Sequence, residues 1–132
     1  LLNSYDNSIV YTDHILNQVI QTIKAVPNYQ TGFWYLSDHG ESTGESGMYL
    51  HGAPYAIAPV QQTHVPMIMW FSPAWQQHNA SQVNCLTQQK QAVRSQDNLF
   101  PTLLSMLEIK TQVTDDKNDM LKQCTSNPTG KA

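Results

Sequence analysis

The sequence predicts an α/β fold, on three observations. An amphipathic segment opens the chain, two short apolar runs flank a long glycine-rich connection, and a second apolar helical segment follows. The order helix, strand, loop, strand, helix is an α/β pattern. Strands joined by helices favour a parallel or mixed sheet with helices on its faces. In such sheets ligands gather beyond the carboxyl ends of the strands.

The first helix spans residues 5–25. Ile9, Leu16, Val19, Ile20 and Ile23 recur mostly at three- and four-residue steps and make one apolar face. Ser4 or Asp6 suits its start, and Pro27 with Asn28 ends it. Residues 32–37, Gly-Phe-Trp-Tyr-Leu-Ser, form a continuous aromatic-rich run. Such a run suits a strand covered on both faces. Residues 38–63 read as an irregular connection punctuated by Gly40, Gly44, Gly47, Gly52, Pro54 and Pro59; loops this long are usually functional or disordered, and the aromatics and histidines argue against disorder. Residues 65–71 form the second buried strand, stopped by Ser72-Pro73, and residues 74–84 read as a polar surface loop. The second helix covers 97–107, with Leu99, Phe100, Leu103, Leu104 and Leu107 turned inward and Pro101 in its first turn. Residues 1–124 are expected to form one domain segment, with 125–132 a flexible tail.

A chain of 132 residues is ordinarily one domain. Only 13% of residues are charged and the net charge is −3, too mild for a nucleic-acid or anionic-membrane partner. No run approaches the roughly 18 apolar residues of a membrane span. Leu1-Leu2-Asn3 leads straight into polar residues with no signal peptide, so the chain reads as starting mid-protein. Cys85 and Cys124 do not form a CxxC pair. They are either two buried thiols or a disulfide. The polar, loop-like flanks favour the disulfide, and with it an oxidising compartment.

Asp38 and His39 stand at the carboxyl end of the first strand. On a regular strand they would point to opposite faces. Where the backbone turns away, carboxylate and imidazole can converge on one ion, and both suit zinc (Zn2+) at about 2.0–2.2 Å. Gly40 frees the chain to swing off. Alone, an Asp-His-Gly triplet is more simply a turn cap and a buried polar residue. Its surroundings, SDHGESTGESGMYLHG over 37–52, change the balance. His51 lies at the far end of the glycine-rich excursion; it can fold back over Asp38 and His39 to donate to a phosphate, or stand as a surface histidine. His64, beginning the second strand, is as readily structural as functional. Glu41 and Glu45 are outer acids that could orient ligands, or solvated loop carboxylates. His14 and His78 read as surface residues. Asn79-Ala80-Ser81 is a weak glycosylation match.

SDHGESTGESGMYLHGAPYAIAP and QTHVPMIMWFS resemble the C-terminal part of the lipid A phosphoethanolamine transferases, with YDNSIVYTDHILNQVI and SQDNLFPTLLSML extending the likeness over nearly the whole chain. These inner-membrane enzymes of Gram-negative bacteria include polymyxin- and colistin-resistance determinants. They belong to the alkaline phosphatase and sulfatase superfamily. The resemblance implies part of an alkaline-phosphatase-like α/β/α sandwich, a periplasmic catalytic domain tethered to the inner membrane by an N-terminal domain. It makes residues 1–124 the C-terminal segment of that catalytic, sulfatase-like domain. It implies that Asp38 and His39 are zinc ligands and that His51 contacts the phosphoethanolamine phosphate. It implies a ping-pong reaction from phosphatidylethanolamine to lipid A through a Thr nucleophile. Thr43 and Ser46 depart from the Leu and Asn common in relatives. No Thr here sits in a nucleophile motif, so the segment alone is expected to be inactive, with open sheet edges that favour an oligomer or swapped assembly. Two other readings stand beside it: a phosphoglycerol transferase, sulfatase or phosphatase fragment, and a non-catalytic zinc-binding module.

Overall fold

The computed structural model describes residues 2–125. It divides into two compact units, residues 1–75 and the chain from Gln76 onward.

The first unit opens with α1 (Leu2–Lys24). Tyr5, Thr12, Leu16, Ile20 and Ile23 form its less exposed face, and none of its residues is buried. The periodicity located this stripe, but Ile9 and Val19 lie more exposed than expected. Asn28 then turns the chain in a left-handed conformation (φ 65°), which Asn tolerates well.

Two five-residue strands follow, β1 (Gly32–Leu36) and, further along the chain, β4 (Met67–Phe71). They pair antiparallel, Gly32 opposite Phe71 and Leu36 opposite Met67. This pair corrects a purely parallel arrangement and leaves the mixed alternative and the α/β class in place. A parallel neighbour needs a crossover, usually a helix of a dozen residues or more. The intervening chain instead forms a small antiparallel hairpin, β2 (Ser42–Thr43) with β3 (Tyr49–Leu50), and the one-turn helix α2 (Val60–Thr63). It thus re-enters beside the point where it left. The connection expected to be irregular is consequently built, not loose.

Ser72 closes the sheet and starts the next helix. Its hydroxyl accepts the Thr31 N–H (3.1 Å) and the Trp75 N–H (3.2 Å), while its own N–H donates to Thr31 O (2.9 Å). With Ser72 before it and Pro73 leading, α3 (Pro73–His78) begins at once, and α4 (Ala80–Gln88) comes next. The surface loop expected over 74–84 is therefore mostly helix. Polarity suggested loop, yet Ser-Pro is a helix-start signal and Ala and Gln are good helix formers.

In the second unit, Ser95 and Asn98 form a reciprocal capping box on a short 3₁₀ turn (Gln96–Asn98) that leads into α5 (Leu99–Met106). The inward face of α5 is Pro101, Thr102 and Met106, whereas Leu99, Phe100, Leu103 and Leu107 are exposed, which corrects the expected leucine face. Thr102 decides this: it is fully buried and its hydroxyl accepts the Met120 N–H at 3.0 Å. Asn98 donates to Asn118 O (2.7 Å), and buried Asp119 accepts from Ser105 and from the Leu121 N–H (2.9 Å). These bonds dock residues 118–121 on α5. Cys85 and Cys124 are joined as a disulfide across 39 positions, Cα to Cα 5.7 Å. Of the expected tail, Thr125 ends α6 (Lys122–Thr125) and 126–132 lie outside the described residues.

Candidate functional site

The chain leaving β1 is shaped by short-range bonds. Ser37 donates its hydroxyl to His39 O (2.8 Å), and Asp38 Oδ1 accepts the His39 N–H (3.0 Å). Gly40 N–H donates to Gln62 O (3.0 Å). A Cβ at Gly40 would stand 2.0 Å from Gln61 O, so only glycine fits this approach. Glu41 follows, and the chain then enters β2.

The hairpin returns His51 to the same place. At its tip the Glu45 carboxylate accepts the Thr43 N–H (2.7 Å) and the Thr43 hydroxyl (3.1 Å). Its own backbone N–H and that of Thr43 hold the carboxyl below the usual Glu range. Ser46 is left-handed (φ 53°), a conformation that Asn adopts more readily than Ser. Leu50 is left-handed too (φ 66°), an outlier for a bulky apolar residue, and it immediately precedes His51.

His39 and His51 stack, ring centroids 3.8 Å apart with planes 27° apart. His51 Nδ1 lies 3.2 Å from Glu41 Oε2. His39, Glu41 and His51 each offer one ligand atom within 4.8 Å of the others. Glu41 Oε1 is buried and meets no donor among the described residues. A buried carboxylate oxygen without a donor is costly, and a cation relieves that cost. His39 Nδ1 lies 3.0 Å from Gly40 O. A carbonyl only accepts, so in the neutral ring Nδ1 carries the hydrogen and Nε2 keeps its lone pair for a ligand. Two imidazoles and a carboxylate are a donor set that fits zinc.

The other candidates fall around this trio. Asp38 Oδ2 lies 3.7 Å from His39 Nε2, and its side chain is 88% exposed. Two ligands about 2.1 Å from a tetrahedral ion stand roughly 3.4 Å apart, so this pair can share an ion after a small adjustment. Glu41, read from sequence as an outer acid, stands among the converging groups. No local spacing marks it, because residues 39–41 lie outside any strand and Glu41 meets His51 only through the return of the hairpin. His64 is exposed just past α2 and lies outside the trio. Glu45 is engaged in the hairpin tip and faces Thr43 instead. His14 and His78 are exposed.

Comparison with known proteins adds to this geometry. The sulfatase family model matches residues 1–109. The chain is 46% identical over 126 residues to phosphoethanolamine transferase EptA of Escherichia coli (strain K12), covering 94% of this chain and 23% of that protein. It superposes on the crystal structure of the soluble domain of lipooligosaccharide phosphoethanolamine transferase A from Neisseria meningitidis with a TM-score of 0.86 and 43% identity, covering 94% of this chain and 38% of that one. It also superposes on the C-terminal periplasmic domain of phosphoethanolamine transferase EptC from Campylobacter jejuni, with a TM-score of 0.80 and 45% identity, covering 100% of this chain and 39% of that one. The chain thus spans under a quarter of the E. coli relative and under two-fifths of either solved domain.

Proposed function

The chain belongs to the sulfatase family, and from that premise we propose that it is the C-terminal part of a zinc-dependent phosphoethanolamine transferase. The parent moves phosphoethanolamine from phosphatidylethanolamine to lipid A on the periplasmic face of the inner membrane and confers polymyxin resistance. The observation that carries the reading is the convergence of His39 and His51 on Glu41, with Asp38 alongside, inside the 37–52 motif. No helix among the described residues is long and apolar enough to cross a membrane, so attachment would come from another part of the parent.

Asp38 and His39 would hold the zinc. Bound zinc supplies positive charge that offsets the charge developing on the phosphoryl oxygens and favours a deprotonated nucleophile. His51, with Glu41 accepting its Nδ1–H, donates from Nε2 to the phosphate of the transferred group when both ring nitrogens carry a hydrogen. A second arrangement is favoured by the undonated Glu41 Oε1: His39, Glu41 and His51 would hold the ion. The chain itself supplies no nucleophilic Thr in a recognisable motif, so alone it does not turn over. The open outer edges of β1 and β4 lead it to self-associate.

Zinc titration of the chain separates the two arrangements. Asp38→Asn weakens binding and Glu41→Gln leaves it unchanged if the Asp-His pair holds the ion; the reverse order supports the trio. In the parent enzyme, Asp38→Ala and His39→Ala abolish transfer to lipid A. Transfer that survives Asp38→Ala, or phosphoesterase turnover by the 132-residue chain alone, would overturn the reading.

A further inference from the structure

The convergence of His39, Glu41 and His51 needs a part that holds the two ends of the hairpin together, and we infer that Gln62 is that positioning residue. The inference rests on the reading of this trio as the functional site. Gln62 is buried, 7% exposed, on the one-turn α2. Three of its groups reach three different places. Its backbone carbonyl accepts the Gly40 N–H (3.0 Å). Its side-chain Nε2 donates to Ser42 Oγ (2.9 Å). Its Oε1 accepts the Ala53 N–H (3.2 Å). Gly40 and Ser42 bracket Glu41, and Gly40 follows His39. Ala53 stands two residues beyond His51. One side chain therefore ties the outgoing and returning strands of the excursion at the level of the three converging groups.

The backbone explains why such a tie is required. The β2–β3 hairpin has only two paired positions, and short isolated hairpins are marginal. Leu50 enters His51 from a left-handed conformation, and a strained residue persists only where its surroundings over-determine it. The strand pairing fixes Leu50 from one side. The Ala53 contact to Gln62 fixes the chain on the other. Without it Leu50 can relax to an ordinary φ, and His51 then rotates away from His39 and Glu41. Both amide groups of Gln62 are used and buried, so a same-sized apolar residue fills the space without making either bond.

Proton and nitrogen NMR of the 132-residue chain near neutral pH reads the positioning directly. The wild-type chain shows ring-to-ring NOEs between His39 and His51, and a His51 nitrogen signature of the Nδ1–H form facing Glu41. Gln62→Leu loses both while the β1–β4 cross-strand NOEs remain. Retention of both signals in that variant, or their absence from the wild type, overturns the inference. Should Gln62→Leu also lose the β1–β4 NOEs, Ser42→Ala decides, since it removes only the partner of Nε2. Weakened ring NOEs with an intact sheet then support the clamp, and unchanged ones sink it. As a specificity control, Met69→Ala disturbs β4 away from the clamp and keeps the ring NOEs. Failure of the transferase reading looks different: a parent enzyme that still transfers after His51→Ala leaves the clamp standing and removes its catalytic meaning.

Discussion

Glu45 shows how one side chain can make a flexible sequence keep its shape. The tip of the hairpin carries Gly44, Ser46 and Gly47 with positive φ, which gives it little preference of its own. The carboxylate supplies the preference by gripping both the N–H and the hydroxyl of Thr43. A Leu at 43 would keep only the backbone half of that grip, so Thr43 tunes the loop and does not disable it. Because these bonds favour the charged form, the folded pKa lies below the ordinary 4.5. The unfolded chain then binds more protons in that window. The stabilisation is present above the ordinary value and is lost as pH falls through the lowered one. Protection factors of the amides in residues 42–50, taken relative to intrinsic exchange at each pH, should therefore fall on acidification below the ordinary Glu value. Glu45→Gln should flatten that dependence; a dependence of the same size in the variant would place its origin elsewhere.

At the level of elements, the turn after β1 is positioned by backbone contact with α2. Gly40 meets Gln61 and Gln62 so closely that any Cβ must push the two segments apart. The obstacle is a main-chain oxygen, which cannot swing aside as a flexible side chain would. Gly40→Ala is expected to destabilise the first unit by about 1–3 kcal/mol, the usual range for overpacking. Urea unfolding followed by tryptophan fluorescence checks this, since Trp34 and Trp70 lie on β1 and β4. An unchanged midpoint would mean that the approach of α2 to this turn is not held. The strands themselves depend on each other in the same way: Ser72 closes their open end and at the same time starts α3, so the sheet and the helix share one residue.

At the scale of the whole molecule the apolar interior is small. Cys85, Pro101, Met106 and Met120 are the buried apolar residues among those described, while Ile9, Val10, Tyr11, Phe100 and Leu103 are exposed. Hydrogen bonds and a covalent link accompany that small interior within this stretch, which spans under two-fifths of the solved domains it matches. The second unit illustrates this, with Thr102, Asn98 and Asp119 buried and bonded where aliphatic residues would ordinarily pack. The disulfide closes a loop of 39 positions in that unit. On the chain-entropy account, a loop of about 40 residues gives roughly 4 kcal/mol. Reduction should lower the unfolding midpoint of the second unit correspondingly, read by calorimetry with and without reductant. A midpoint unaffected by complete reduction would show that residues 118–121 hold to α5 through their hydrogen bonds alone.

The sequence by itself determined the long first helix, the two apolar strands and the motif over 37–52 in which the candidate groups lie. Those features are written in local pattern: helical spacing, aromatic runs, Gly and Pro punctuation, and an uncommon set of residues at fixed separation. The tertiary structure alone decided that β1 and β4 run antiparallel, that α5 turns Thr102 and Met106 inward, and that Glu41 comes beside the stacked His39 and His51. Pairing sense depends on how the connection returns, and a strand's composition does not record it. The inward face of a helix depends on what covers it, and here buried polar groups took the place the leucines were expected to fill. The meeting of positions 39, 41 and 51 depends on hairpin register, on the left-handed Leu50 and on Gln62, contacts between residues far apart in the chain. The motif names the chemistry, and the distances that allow it come from the fold.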